Sequence, residues 1–488
     1  MTGPEAGELL RADSPARDRA LLFARIAIAL YLLELLLNLT RPHIAPDEPT
    51  LSIFHRLPGS SGSFGRLLSM PKAVFWTVVA GIVLGAALQV YARITRPEGR
   101  RDAVLVWATV AVLLGPFSLL ALTVVSSYLG DALLCVPGTV FVLAVLHLGQ
   151  RFGRVPLTLL LAAFGWGALI VFGLGRAFSG LALGTLGGYL LDRPKTGGSP
   201  TDALNALSGQ VHDQYRAIDL LLVHLFAVNA LAVAAGVLVL LLLLRHRVVD
   251  AMTGMVLGAA VGLGYTFVES VLFIRLFGSL GFINGVTGGF EYWIRQSIGL
   301  LGGPVLFGAL LGGSLALALT GPRERRVPTV LFGLAISIGG SAGTEALAGW
   351  LSKVTHDHMS GGGAFDTLIV SPLLWLLPQL PFAAVAVLLL VAAARARGAT
   401  ARTAIAARVV PGGPITPVEA HFLSDPSLRL WTLAATWKRH GPAAALALYR
   451  LQSAQYDLAS SDPQEGEPLR AKVMRLKASG PNRTAVPS

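Results

Sequence analysis

One acidic residue stands in the middle of an apolar run: Gly262-Leu263-Gly264-Tyr265-Thr266-Phe267-Val268-Glu269-Ser270. Placing a charged side chain at the centre of a bilayer costs about 3 kcal/mol on insertion scales and more in simulations, so it faces protein, water or a partner rather than lipid. Two kinds of chemistry are open to Glu269. It could take a proton from a metal-bound water in a hydrolytic site. It could equally be a protonated or paired glutamate that locks helices together. A second chemical candidate is His356-Asp357-His358, beside Gly361-Gly362-Gly363. Histidines at i and i+2 can bind metal, but a solvated loop accounts for them more simply.

The elements that must position these residues are membrane helices. The chain of 488 residues is 53% hydrophobic and only 14% charged, with a mean hydropathy of +0.65. That composition is not one of a soluble globular protein. The fold class expected is all-α: a polytopic helical membrane protein with a small helical tail. Ten apolar runs reach the length that crosses a bilayer: 20–40, 73–92, 103–126, 130–150, 155–175, 217–244, 251–277, 297–320, 328–350 and 367–394. The first is too long for a signal-peptide core and carries Arg25 and Glu34, so it reads as a retained helix. The one cysteine, Cys135, excludes an intrachain disulfide and a cysteine-based metal site. The net charge of +12 comes without a basic stripe interleaved with aromatics, which excludes nucleic acid as the natural partner.

Arginine sets the expected orientation. Arg93, Arg96, Arg100 and Arg101; Arg151 and Arg154; Arg245 and Arg247; Arg323, Arg325 and Arg326; and Arg395, Arg397, Arg402 and Arg408 all fall on one side of a ten-span count. By the positive-inside rule both termini are cytoplasmic, in a plasma membrane. Arg275 and Arg295 flank an outer loop and read as interface anchors. The division expected is a cytoplasmic segment 1–19, a five-helix region 20–175, an outer loop 176–216, a five-helix core 217–394, a cytoplasmic tail 395–478 and a disordered end 479–488. The outer segments 41–72 and 176–216 are rich in Gly, Ser, Pro and Leu, and Lys195-Thr196-Gly197-Gly198-Ser199-Pro200 marks a turn. In the tail, Thr416-Pro417-Val418-Glu419 is a capping box with proline at the first helical position. Gly441-Pro442 separates a helix near 427–439 from one near 443–458. Trp431, Trp437, Tyr449 and Tyr456 suggest packing on the tail itself or at the membrane surface.

Gly254, Gly258 and Gly262 recur every four residues, which lets a neighbouring backbone come close on one face. Around them the chain reads Val249-Asp250-Ala251-Met252-Thr253-Gly254-Met255-Val256, then Gly258 to Gly264, then Phe267-Val268-Glu269-Ser270, followed by Arg295 and Gly303-Pro304-Val305-Leu306-Phe307-Gly308-Ala309-Leu310-Leu311-Gly312. This order resembles the PrsW family of intramembrane metalloproteases, relatives of the prenyl-protein proteases. The likeness extends over roughly residues 215–460, with Ile415-Thr416-Pro417-Val418-Glu419 as its trace in the tail. It implies a peptidase, a hydrolase acting on transmembrane segments, with zinc as cofactor where active.

The departures are at the chemistry. The family's Glu-Glu-x-x-Lys falls on Asn229, Ala230 and Val233; its Glu-Asn is Glu269-Ser270; the histidine of the next helix falls on Pro304. Span nine offers Ser341, Thr344 and Glu345 in place of another histidine. Only Glu269 keeps a catalytic family identity. Asn229, Glu269 and Pro304 lie roughly 12, 8 and 7 residues from the outer ends of their spans, at about 1.5 Å per residue, and so share the outer half of the bilayer. His224 and Glu345 lie there too. A rebuilt metal site from Glu269, His224 and Glu345 is conceivable, although His224 points to a different helix face from Asn229. The alternative is a Glu269 satisfied by Ser341, Tyr265, Asn229 or a water.

The expected function is that of a degenerate intramembrane protease, a pseudoenzyme that recognises transmembrane segments of partner proteins within the lipid bilayer. An active metalloprotease with a divergent site is the first alternative. A transporter or channel is the second, although no inverted repeat and few pathway charges support it.

Overall fold

The computed structural model describes residues 15–39, 72–150, 155–179, 211–279, 293–358, 365–460 and 466–479. Among them there are helices and no strands. The Lys195–Pro200 turn, the Gly361–Gly363 run, nearly all of segment 41–72 and the terminal residues 480–488 lie outside the described residues, as do the side chains of His356 and His358. Nine of the described helices are long and apolar enough to cross a membrane, which makes this an integral, polytopic α-helical membrane protein.

In order, with α6 added to those nine, the long helices are α1 (Pro15–Leu39), α2 (Lys72–Thr95), α3 (Arg100–Ser127), α4 (Leu129–Leu148) and α5 (Leu157–Ser179), then α6 (Val211–Leu243) and α7 (Ala251–Ser279). There follow α8 (Pro304–Thr320), α9, which runs from Arg323 to His358, and α10 (Leu368–Ala406). Three helices close the chain: the short α11 (Pro417–Ser424), the long, kinked α12 (Pro426–Ser460) and α13 (Gly466–Ser479). The sixth of the ten apolar runs, 217–244, corresponds to α6, whose stretch Ala227–Leu243 is apolar but shorter. The chain divides into two compact units, Met1–Leu143 with Leu157–Ala386, and Ala144–Pro156 with Val387–Ser488.

The first unit is built on α7. Of its most apolar window 83% is buried, against 22–67% for the other spanning helices. The reason is glycine. A Cβ added at Gly254 would lie 2.2 Å from the Gly312 carbonyl oxygen, at Gly258 2.0 Å from that of Gly308, and at Gly262 2.0 Å from that of Pro304. The pairing descends on one helix as it climbs on the other, so α7 and α8 run antiparallel in backbone contact. The opposite side of α7 does the same to α5: a Cβ at Gly264 would meet the Phe164 oxygen at 2.0 Å, and one at Gly167 the Val261 oxygen at 2.0 Å. In lipid there is little hydrophobic gain from bringing helices together, and close packing of small residues replaces it. The helices α1, α2 and α3 join through α5, where Tyr31, Phe117 and Leu174 share one core, with Tyr31 and Phe117 edge to face at 5.3 Å.

Two sequence expectations are corrected. Span eight is not an unbroken helix over 297–320. It is a short 3-10 turn, Ile298–Leu301, and a separate α8 that starts at Pro304. Gly303 sits at φ +52, a left-handed conformation open to glycine, and Pro304 lacks the N–H that would continue the turn. The Gly303 N–H donates instead to Gln379 Oε1 at 2.7 Å. Second, the segment 176–216 is helical at both ends, because α5 continues to Ser179 and α6 begins at Val211. Within the same unit, Arg25 Nε donates to Gln89 Oε1 on α2 at 2.8 Å.

The second unit packs the tail on the end of α10. Ile405, Ile415, Leu423, Tyr456 and Ala459 form its core, with Ala401 and Ala404 against it. The capping box forms: the Thr416 N–H donates to Glu419 Oε2 at 2.8 Å, and the Glu419 N–H donates to Thr416 Oγ1 at 3.4 Å. The α12 helix kinks at Gly441, φ 81. The terminal α13, which hydropathy does not announce, buries Val473 against Ala454 and Leu458 and brings Lys477 Nζ to Glu419 Oε2 at 2.6 Å.

Two outcomes follow. Gly258→Val forces a branched side chain into the α8 backbone and destabilises by about 1–3 kcal/mol or more, read as a lowered unfolding midpoint in detergent. Gly339→Ala, with open space around it, leaves the midpoint unchanged. In the tail, burial pushes the Glu419 carboxyl up, but hydrogen bonds from Lys477 and Thr416 outweigh burial and hold it below the ordinary glutamate value of 4.5. A depressed carboxylate adds stability that is fully present above about pH 4.5 and is lost as pH falls through the folded-state value. Limited proteolysis of the tail therefore accelerates on acidification below that pH, and Lys477→Met makes the tail more labile at pH 7 while flattening the acid dependence.

Candidate functional site

Three elements of the first unit converge beside Glu269 of α7. From α6 come Asn229, Ala230 and Val233, of which Asn229 and Val233 are one turn apart. Pro304 and Phe307 come from the start of α8. From α9 come Ser337, Ser341 and Glu345 at four-residue spacing. Together they line a cavity in which the centre of a water has about 10 Å³ to move, room for about one molecule. In this form it admits a water and not a peptide group.

The side chains are aimed by local irregularities. The α9 helix contains a π-helical stretch, Ala335–Gly340, between Arg323–Leu334 and Ser341–His358. The wide turn adds a residue to the helix and sets the direction of Ser337 and of everything after it. Phe307 is fixed against Phe382 with ring centroids 5.2 Å apart, and Gly340 leaves the space both rings need. Asp250 starts α7 by accepting from the N–H and Oγ1 of Thr253 at 2.9 and 2.7 Å, an N-cap immediately before Ala251.

Glu269 is 8% exposed. Its Oε1 accepts from Asn229 Nδ2 at 3.1 Å, and its Oε2 accepts from Arg295 Nη1 at 3.4 Å. Arg295 is therefore not only an interface anchor. It comes from the short helical turn just before the broken span eight and lays its guanidinium 4.1 Å from the Phe273 ring centroid, one turn along α7 from Glu269. Arg275, by contrast, stacks over Tyr128 at 5.5 Å. Of the other partners weighed for Glu269, Ser341 lines the same cavity, whereas Tyr265 packs its ring on Phe172 at 5.5 Å. Ser270 is fully buried, and its hydroxyl has no hydrogen-bond partner among the described residues.

So the structure brings Asn229, Ala230, Val233, Glu269, Pro304 and Glu345 to one cavity. Gly254, Gly258 and Gly262 lie further along α7, in the α8 seam. Ser270 faces away from the cavity lining. His224 stands on α6 outside the described side chains. Arg295 and Ser337 are the participants that sequence reasoning missed. Ser337-x-x-x-Ser341-x-x-x-Glu345 is legible as a polar stripe on an otherwise apolar helix, and a lone arginine opposite a lone buried acid is a charge-balance signal.

Residues 228–377 match the family model of the PrsW family intramembrane metalloproteases. The middle of the chain is thus similar to that family. The matched stretch contains every residue that lines the cavity, and it ends before the tail. No curated protein and no solved structure matches the chain.

The PrsW description implies a metal, so the donor set is the next question. A catalytic zinc takes three nitrogen, sulfur or oxygen ligands and keeps an open position. Among the described residues no three His, Cys, Asp or Glu side chains come together. The cavity offers two carboxylates, an amide and two hydroxyls, and the Arg295 guanidinium already sits on Glu269 Oε2, where a divalent cation would meet like charge. Proline at position 304 supplies no side-chain donor atom. The described residues do not fit a zinc site. What they do is hold one carboxylate at a fixed place between α6, α7 and the chain entering α8.

Removing one partner of this group leaves a buried charge or donor unsatisfied. Arg295→Gln is expected to destabilise by about 1–3 kcal/mol, and Glu269→Gln by a similar amount. The double variant loses less than the sum, because it removes both members of the ion pair. Denaturation of the four proteins in one detergent completes the cycle, and strict additivity would show that the pair is not coupled.

Proposed function

We propose that this PrsW-type protein binds transmembrane segments of partner proteins within the bilayer and does not hydrolyse them efficiently. The observation that carries the proposal is the state of Glu269. Both its oxygens are engaged, by Asn229 and by Arg295, and the group that would have to activate a water is in use as a helix clamp. Two family positions have changed their chemistry with it. Asn229, at a site where the family carries a glutamate, donates to the surviving carboxylate and cannot serve as a general base. Pro304, at a site where the family carries a histidine, starts a helix.

The scaffold supports the binding half of the proposal. The α7–α8 seam and the polar cavity beside it both lie within the stretch that is similar to a family acting inside membranes. The proposed topology places both termini in the cytoplasm and the protein in the plasma membrane, as the arginine distribution favours.

A second reading, an active peptidase with a rebuilt site, draws on one feature: Glu345 lines the same cavity as Glu269. The decisive measurement is elemental mass spectrometry of the protein in lipid nanodiscs after mild chelation, wild type against Glu269→Ala, with a cleavage assay on reconstituted transmembrane substrates. The expected outcome is no stoichiometric zinc, with substrate helices that crosslink to the protein and stay intact. Near-stoichiometric zinc that disappears in Glu269→Ala, or a cleavage product lost in Glu269→Gln, would establish the peptidase instead. A fluorescent-protein fusion at the C-terminus is expected to fluoresce; a dark fusion, with an alkaline phosphatase fusion active there, would refute the topology.

A further inference from the structure

The α12 helix carries its apolar stripe on the outside. Its exposed positions before the kink are Ser427, Leu430, Trp431, Ala434, Trp437 and Lys438, followed by Arg439 and His440. The first six recur at the three- and four-residue steps that make one helix face. Leu430 is 63% exposed, Trp431 76% and Trp437 62%. The inward side before the kink holds a charge instead: Arg429 is buried, with its Nε donating to Gln452 Oε1 at 3.1 Å and its guanidinium 4.6 Å from the Tyr456 ring centroid. Past Gly441 the outward stripe continues through Pro442, Ala443, Leu446 and Arg450. Surfaces of soluble domains do not ordinarily present two tryptophans and two leucines in a row; such a patch marks an interaction face.

Two further observations say what kind of surface it meets. The first is charge. Lys438 borders the stripe and Arg450 closes it, and residues 395–488 hold thirteen Lys and Arg against six Asp and Glu. The second is attachment. The tail's core is built on Ala401, Ala404 and Ile405, the end of a helix that is itself a spanning segment. Ile405 lies ten residues beyond Arg395, the first basic residue after the apolar part of that helix, which is about 15 Å of helix rise. A lipid surface is thus always within reach of the tail, at an effective concentration no soluble partner matches.

We propose that the outward face of α12 is a membrane seat. Trp431, Trp437 and Leu430 lie among the headgroups of an anionic leaflet, and Lys438 and Arg450 meet lipid phosphates. Tryptophan suits this layer, where its ring is half in hydrocarbon and its N–H is hydrated, and an amphipathic helix with basic flanks binds such a surface in its plane. The seat holds the tail down on the bilayer and fixes the direction in which α10 delivers the chain.

The test uses the full-length protein, with its one native thiol removed as Cys135→Ser. A nitroxide is attached at Ala434→Cys, in the middle of the stripe, or at Arg439→Cys, on the far side of the same helix. Spectra are recorded in nanodiscs of phosphatidylcholine alone and of phosphatidylcholine with phosphatidylglycerol. The expected result is a label at 434 that is several-fold less accessible to a water-soluble nickel relaxant than the label at 439 and more accessible to oxygen. The difference should grow in the anionic discs and shrink when Trp431→Ser and Trp437→Ser are added. A water-accessible label at 434 in both lipids would overturn the proposal. So would shielding that survives loss of both tryptophans, or shielding accompanied by spin–spin broadening that vanishes on dilution with unlabelled protein, which would assign the face to a second copy of the chain. Equal shielding in the two lipid mixtures would overturn the role given to the basic residues.

Discussion

The architecture of the core depends on the backbone contact between α7 and α8. With no side chain between them at Gly254, Gly258 and Gly262, the two helices are held at the shortest separation that helices can reach, and their register is set by which glycine faces which carbonyl. That register ends at Pro304, opposite Gly262. Glu269 lies seven residues further along α7, about 10 Å of rise, beyond the point where α8 begins. The space beside it is filled not by a regular helix but by the chain that approaches α8, and Arg295 is on that chain. The ion pair is a consequence of the seam: a neighbour that starts too late to cover Glu269 leaves room for a guanidinium to do so.

The ion pair in turn decides what the cavity can be. Burying two charges together is seldom a large net gain, because each must first be taken out of water. Such pairs are better understood as specifying one arrangement among several of comparable packing. Here the arrangement specified is the approach of α6 to α7 through Asn229, and of the α8 entry to both. A site that needs its carboxylate free for a water or a metal cannot also use it as the peg for three segments. Function and scaffold would compete for the same two oxygen atoms, and Asn229 and the chain that enters α8 at Pro304 both serve the scaffold.

Much of this was readable in the residues, for reasons that differ by level. The spanning helices were legible because lipid imposes a length and a composition that few other structures share. The Thr416–Glu419 cap was legible because both of its hydrogen bonds are local. The grouping of positions 229, 269, 304 and 345 was approachable from depth along parallel rods, a one-dimensional argument. What hydropathy could not carry was direction. It read 297–320 as one apolar run and passed over Gly303-Pro304, where the backbone turns, so it left Arg295 at the membrane edge rather than at Glu269. The α13 helix was missed for a related reason: its apolar residues are sparse, and only its packing on Ala454 and Leu458 makes it stable. The fifth run was ended at 175, yet the helix continues to Ser179.

The π-helical stretches have a consequence for how this chain is compared with others. Trp166–Val171 in α5, Ala335–Gly340 in α9 and Asp366–Val370 at the head of α10 each take up one residue more than an α-helix of the same rise would. Such a stretch is a single-residue insertion that the helix has absorbed rather than expelled as a loop. Counting positions along the chain across Gly340 therefore miscounts the helix face by about 100° for a relative that lacks the insertion. In such a pairing Ser341 and Glu345 stand one place away from their true counterparts. Equivalence downstream of the bulge is a matter of which residues face Glu269, and an ungapped alignment of α9 would assign the wrong one.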